Sequence, residues 1–219
     1  IFTLLLISSA LTVFAAKPAM VKYTVQAKNI TSIETRQAIN VEYTQGNETS
    51  VIVTTPERLR NNIDIKIKDG ELTACFNGKV NMKLGESVTI TVTAPAVNEF
   101  EASSAGSIKI KGLLSLSGKN VEIEASSAAS ITAESIVCGN IDIESSSASS
   151  VSIASCKANT VEASASSASS LTINGINATK VKGNSSSAAS LKLSGSCTKA
   201  QLSKSSMGSL SSSGLKTKE

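Results

Sequence analysis

The chain has 219 residues, of which 41 % are hydrophobic but only 3 % aromatic, and its formal net charge is +4. Its core is therefore expected to be aliphatic, and the mild, interleaved charge excludes the concentrated basic stripe of a nucleic-acid-binding protein. The sequence contains no His, which excludes histidine-dependent catalytic triads and histidine metal sites.

Residues 1–16 form the first predicted element, an apolar stretch that ends in the small-residue pattern Val13-Phe14-Ala15 or Phe14-Ala15-Ala16. It is too short and too rich in Ser and Thr for a membrane span, and it is typical of the apolar region of a secretory signal. A buried core strand is the alternative. We expect a partial signal peptide, no membrane span in the mature chain, and export to the periplasm, the cell surface or the medium.

Residues 17–96 are predicted to be an N-terminal part rich in β-strands and hairpins. Alternating apolar residues run over 39–43 and 51–53 on either side of Gln45-Gly46-Asn47. Asp69-Gly70 separates two further alternating runs and is a strong hairpin signal. Another strand ends at Pro95, and only the stretch 56–61 favours a short turn of helix.

From residue 97 to residue 219 the sequence is periodic. A serine-rich phrase recurs as SSAGSI, SSAASI, SSASSV, SSASSL, SSAASL and SSMGSL, and the apolar residues that close the phrases are 23, 20, 20, 20 and 19 residues apart. A second apolar strand precedes the phrases at the same interval. The residues of the two predicted inward stacks are Ile108, Ile131, Val151, Leu171 and Leu191 in one, and Val121, Ile141, Val161 and Val181 in the other.

A fixed period near 20 residues with short strands indicates a solenoid, because one coil cannot bury its apolar face without neighbours. Leucine-rich repeats are excluded by the missing Leu/Asn framework, and a disordered linker would not keep regular apolar positions. We therefore predict an all-β fold: a single-stranded, right-handed parallel β-helix with coils of about 20 residues, preceded by the hairpin-rich part.

The serine-rich phrases are predicted to be tight corners rather than catalytic sites, since no residue nearby could act as a base for a serine. Serine hydroxyls can bond neighbouring backbone groups. The recurring alanines of the phrases are expected to be packed tightly, so that Ala148→Leu would overpack the corner. These alanines are Ala128, Ala148, Ala168 and Ala188.

These motifs together resemble the head GIN domain family (domain of unknown function 2807), described as a putative auto-transporter adhesin of Bacteroides-like bacteria. The resemblance rests on INVEYTQGNETSVIV, LRNNIDIKIKDGELTACF, VTITVTAP and the repeated corners, over roughly residues 24–214. It implies an exported parallel β-helix with an adhesin-like role and no defined catalytic residues.

The 20-residue register places acidic residues in outward rows. Glu122, Asp142 and Glu162 are expected in one row, followed by Lys182, with Glu124 and Glu144 beside them. Because like charges on neighbouring strands repel, the rows require screening by solvent, pairing with Lys, or a bound cation. Carboxylates suit Ca²⁺, so the sequence predicts either a solvated face or a weak divalent-cation site; no other cofactor is expected.

Two classes of function follow. The first is a non-enzymatic interaction protein that presents a flat, laddered surface to a surface protein or a glycan. The alternative is a polysaccharide-active β-helix enzyme, a lyase or a glycosidase, which would need carboxylates across a groove and aromatic platforms for sugars.

The four cysteines are Cys75, Cys138, Cys156 and Cys197, without a CxxC motif. They are either small buried hydrophobic residues or, in an exported protein, disulfide partners. Cys138 and Cys156 are expected to lie close together on adjacent coils.

Overall fold

Strands make up nearly all of the regular structure. The computed structural model describes residues 18–217, so the predicted signal segment, residues 1–16, lies outside the described residues. One short 3-10 helix, Glu57–Asn62, confirms the predicted helical turn. The strands are β1 (Met20–Val25), β2 (Ser32–Thr35), β3 (Ile39–Gln45), β4 (Ser50–Pro56), β5 (Ile63–Lys68), β6 (Glu71–Phe76), β7 (Val88–Ala94), β8 (Glu99–Ala102), β9 (Ser107–Ala125), β10 (Ser130–Ser145), β11 (Ser150–Ile153), β12 (Cys156–Ala165), β13 (Ser170–Ser185), β14 (Ser190–Lys204) and β15 (Ser209–Thr217).

Strands β9 to β15 stack in parallel as coils of a β-solenoid, which has about six turns spaced about 20 residues apart. Both predicted inward stacks are confirmed. Each residue of the first stack, Ile108 to Leu191, is at most 1 % exposed, and each residue of the second, Val121 to Val181, is at most 2 % exposed. Stacking the same side chain of successive coils about 4.8 Å apart removes the whole apolar side of each coil from water.

The N-terminal part joins the same stack. Strand β3 lies parallel between β7 and β9, and β2 lies parallel between β6 and β8. Strand β8 pairs in turn with β9. The hydrogen bonding therefore continues across residue 97 without a break, and the antiparallel strands β4 and β1 lie at the N-terminal end of the stack.

Of the two turns predicted in the N-terminal part, one joins a pair of hydrogen-bonded strands and the other does not. Strands β5 and β6 form the predicted hairpin, with Lys68 opposite Glu71 and with φ of 52° at Asp69 and 89° at Gly70. Strands β3 and β4, which flank the turn at Gln45, do not pair with each other because β7 lies between them.

Where the N-terminal part meets the first coils, the core contains aromatic rings as well as the expected aliphatic side chains. Tyr43 and Phe100 are fully buried, with their ring centroids 5.4 Å apart. The Tyr43 hydroxyl donates a hydrogen bond to the carbonyl oxygen of Ala94 at 2.9 Å. This bond satisfies the one polar group that the buried ring brings into the core.

The cysteines are free, and three of them are buried in the coils. Cys138 and Cys156 lie on adjacent coils as predicted, but they are offset in register: Cys156 aligns with Ile136, and Cys138 aligns with Leu116 of the preceding coil. Burial raises the pKa of the Cys138 thiol to about 11 and that of Cys156 to about 12. Both are therefore protonated, unreactive thiols at neutral pH.

Candidate functional site: the corners and outward faces of the coils

Each serine-rich corner is a tight turn with two residues in the left-handed region. In one of them Ser127 and Ala128 have φ of 52° and 62°, and the Ala129 amide donates to the Ser126 carbonyl at 3.1 Å. This is the pattern of a type I′ turn, which usually contains Gly, Asn or Asp. Other residues lose about 1–2 kcal/mol each in this conformation, so the neighbouring coils must compensate.

Hydrogen bonds between coils provide compensation along the whole row of corners. The Ala128 amide donates to the Ser147 carbonyl of the next coil at 3.0 Å. The same bond recurs at 3.0 Å from Ala148 to Ser167 and from Ala168 to Ser187. The corners are thus a backbone ladder, which agrees with their predicted architectural role.

Two corners add side-chain bonds between coils. The Ser149 hydroxyl donates to the Ala125 carbonyl at 2.8 Å and accepts from the Ser146 amide at 3.0 Å. The Ser169 hydroxyl donates to the Ser145 carbonyl at 2.6 Å. These two serines are structural, because each adds a second hydrogen bond to a backbone carbonyl of the preceding coil that already accepts from a backbone amide.

The small residue that packing requires is not the one predicted. Ala148 is exposed, and Met207, at the equivalent position of the last corner, is 89 % exposed. The next position is buried: Ser149 is 2 % exposed, and at Gly208 an added Cβ would lie 2.3 Å from the Ser185 carbonyl oxygen. The expectation of overpacking at Ala148 is therefore wrong, because its side chain points away from the adjacent coils.

The strands that follow the corners carry two outward columns of hydroxyl residues, which we call the hydroxyl face. Its members are partly or fully exposed and aligned in register from coil to coil. They are Ser130 and Thr132, Ser150 and Ser152, Ser170 and Thr172, Ser190, and Ser209 and Ser211, with Lys192 completing the second column.

The strands that precede the corners carry the acidic rows, and we call this surface the charged face. The predicted register is confirmed: Glu122, Asp142, Glu162 and Lys182 are successive partners. The Lys182 ammonium donates to the Glu162 carboxylate at 2.5 Å, which relieves the repulsion at one end of the row. Glu124 and Glu144 lie side by side in the second row, as predicted.

Sequence analysis missed three acidic residues that extend both rows towards the N-terminus. Glu99 aligns with Glu122, and Glu101 lies between Glu34 and Glu124. The sequence did contain a signal for Glu99 and Glu101. They precede Glu122 and Glu124 by 23 residues, which is also the spacing between Ile108 and Ile131 at the start of the repeat. Glu34 precedes the periodic region and carried no such signal.

Glu101, in the second row, carries a carboxylate whose charged form is disfavoured by burial and by neighbouring charges. Burial raises the pKa of Glu101, and the charges of Glu34 and Glu124 raise it further, while Arg36 lowers it. Glu34 is almost fully buried and forms an ion pair with Arg36. Because the folded-state pKa of Glu101 is above its unfolded value, its contribution to stability falls as pH rises between these two values.

We expect Glu101→Gln to stabilise the protein at pH 7 by up to about 1 kcal/mol, since it removes like-charge repulsion between directly opposed residues. The gain should vanish below the ordinary glutamate pKa of about 4.3, where the parent carboxyl is already protonated. Thermal melts over this pH range measure the difference. Glu48→Gln, at an exposed position in a turn, is the control, and an equal gain in that variant would contradict the assignment to Glu101.

A shallow, open trough runs along the acidic end of the charged face. Its polar lining residues are Asn120, Glu122, Asn140, Asp142, Thr160 and Glu162. The Asn140 amide donates to the Asn120 side-chain oxygen at 3.0 Å, which fixes one rim. Within residues 18–217, no three His, Cys, Asp or Glu side chains are arranged to hold a metal ion. The divalent-cation site at Glu122, Asp142, Glu162, Glu124 and Glu144 stays a prediction.

A family model described as "Putative auto-transporter adhesin, head GIN domain" matches residues 29–184. No curated protein matches the chain. Within the described part of the chain, no helix has the length and apolar character needed to cross a membrane.

Solved structures share the fold at low sequence identity. A structure described as a putative adhesin from Bacteroides fragilis superposes with a TM-score of 0.75 at 18 % identity, covering 89 % of this chain and 97 % of the other. A second, from Parabacteroides distasonis, has a TM-score of 0.74 at 15 % identity, covering 90 % and 96 %. A third, described as a putative lipid binding protein from the same species, has a TM-score of 0.62 at 14 % identity, covering 88 % and 96 %.

Proposed function

The chain belongs to the head GIN domain family, and from this premise we propose that it is an exported, non-enzymatic interaction protein whose hydroxyl face binds a cell-surface glycan. The protein would act at the cell surface, in the periplasm or in the medium. The adhesin descriptions of the family and of the structural neighbours support this class of function.

The hydroxyl face is the observation that carries the proposal. Each hydroxyl can donate one hydrogen bond and accept two, and the coil spacing repeats them about every 4.8 Å. A linear glycan presents its own hydroxyl groups at regular intervals along a chain. Single contacts of this kind are weak, but several coils that engage one chain bind together with increased avidity.

Removing the hydroxyls without changing the shape of the face tests this proposal. The variant Ser150→Ala/Ser170→Ala/Thr172→Val deletes three aligned hydroxyls, and we expect it to lose most of the glycan binding of the parent. The matched control is Ser147→Ala/Ser167→Ala/Ser187→Ala, which deletes three exposed hydroxyls of the same coils in the corners. A glycan array and surface pull-downs measure binding.

The screen should be run with calcium and with EDTA, because the acidic rows are predicted to bind a divalent cation weakly. Equal binding of the parent, the face variant and the corner variant would contradict the assignment to the hydroxyl face. Capture of a surface protein without any glycan signal would assign the face to a protein partner instead.

The carboxylates gathered in the trough on the charged face are the observation that supports a second candidate function, a polysaccharide lyase or glycosidase. The trough brings Glu122, Asp142 and Glu162 together, with Lys182 bonded to Glu162. Its lining contains no aromatic ring to hold a sugar, which favours the interaction protein. Release of unsaturated or reducing sugar ends from uronate or neutral polysaccharides, abolished by Asp142→Asn, would establish the enzyme.

A further inference from the structure

Charge is divided unevenly along the solenoid. Residues 99–164 contain eight acidic and four basic side chains, whereas residues 165–217 contain six Lys and no Asp or Glu. The division is visible on one surface, because the charged face is acidic up to Glu162 and basic from Lys180 onwards. A surface of this kind has two halves of opposite sign on either side of one boundary.

Most of these charges have no ion-pair partner among residues 18–217. Lys180 lies directly opposite Lys199 on the next strand, and like charges in this arrangement repel. Among residues 18–217, neither of these lysines forms an ion pair, and neither do Glu122 and Asp142. Both halves of the face therefore carry charge that a partner of opposite sign would neutralise.

We propose that the charged face is a self-association surface, on which two copies of this chain pack face to face with antiparallel solenoid axes. A two-fold axis parallel to the strands reverses the order of the coils in the second copy and keeps each column opposite itself. We call the outward residues of one coil on this face a rung. The rungs of Glu122 and Asp142 then face the rungs that carry Lys199 and Lys182 in the other copy. Lys180 and Lys199 lie one column to the side of the carboxylates, within reach of their long side chains. This inference does not depend on the proposed glycan function, which uses the hydroxyl face.

The second copy fits the whole face, whereas a polyanion fits only half of it. A polyanion lying along Lys180, Lys182 and Lys199 would meet the carboxylates of Glu162 and Asp142 if it continued along the same columns. An antiparallel copy places opposite charges at both ends, and charge complementarity of this kind sets orientation and association rate.

The size of the face predicts a weak dimer. The face comprises five coils about 4.8 Å apart, and on each coil it is about five residues long at about 3.3 Å per residue. Its area is therefore roughly 400 Å² per copy. The sum for both copies is below the roughly 1,200 Å² of a stable interface. We therefore expect a reversible dimer that forms at low salt and dissociates as the charges are screened.

Sedimentation velocity of the purified protein at about 0.02 M and about 0.5 M salt tests the dimer. The variant Lys180→Glu/Lys199→Glu and the variant Glu122→Lys/Asp142→Lys should each weaken self-association by about tenfold or more. An equimolar mixture of the two variants should associate again, which also shows that both are folded. Lys192→Glu, on the hydroxyl face, is the control and should dimerise like the parent.

A parent protein that is monomeric at low salt at every concentration overturns the proposal. An unchanged dimer in both double variants does the same. Dextran sulfate is the probe for the competing partner: binding to a monomeric parent, lost in Lys180→Glu/Lys199→Glu, would assign the basic half to a polyanion.

Discussion

Leu171→Asp is expected to abolish folding of the coil stack. Leu171 is fully buried and lies in register between Val151 and Leu191. Losing the burial of the leucine costs roughly 2 kcal/mol, and an uncompensated charge in its place costs roughly 3–5 kcal/mol more. The sum is comparable with the whole stability of a domain, about 5–15 kcal/mol.

Circular dichroism and a thermal melt measure the effect of this substitution. The matched control is Thr172→Asp, the next residue of the same strand, which points outward from the stack and is partly exposed. We expect the control to fold and melt close to the parent. A Leu171→Asp protein that melts cooperatively at the parental temperature would contradict the inward register of this column.

Ser149→Leu is expected to destabilise the protein by about 3–5 kcal/mol. The larger side chain would overpack a corner in which Ser149 is 2 % exposed, which costs roughly 1–3 kcal/mol. It would also remove the hydroxyl that bonds the side chain of Ser145 at 2.9 Å, and Ser145 is 1 % exposed. The Ala125 carbonyl and the Ser146 amide keep their bond to each other at 2.9 Å. Each buried polar group left without a partner costs about 1–3 kcal/mol.

Ala148→Leu, one residue earlier, is the control for the corner, and denaturant unfolding compares the two variants. The Ala148 side chain is exposed, so we expect a change within about 0.5 kcal/mol, as for most surface substitutions. A larger loss at Ala148 than at Ser149 would show that the direction of the corner side chains is inverted.

The coils could be predicted from the sequence because the apolar pattern that defines each coil is local and recurs in every repeat. The 20-residue period and the alternation of apolar residues within each strand placed Leu171 and Val161 correctly, since successive side chains of a strand point to opposite sides and here only one side is buried. The same period aligned Glu122, Asp142 and Glu162. Asp69-Gly70 predicted its hairpin because two consecutive residues with positive φ close a two-residue loop.

The directions of the corner side chains could not be predicted in this way, because a turn interrupts the inward and outward alternation of the strands. Two consecutive left-handed residues redirect the chain, so that Ala148 points to solvent and Ser149 points inward. The recurrence of alanine identified a repeated position but not the direction of its side chain.

The sequence by itself determined the solenoid, its register and the outward rows from Glu122 to Glu162, because each follows from a pattern within or between neighbouring repeats. Only the tertiary structure decided that β7 inserts between β3 and β4, and that Glu34 joins Glu101 and Glu124. These contacts join segments far apart in the chain that share no repeat. Their pairing depends on which strand edges are left open when the stack assembles, and this choice is made by packing in three dimensions.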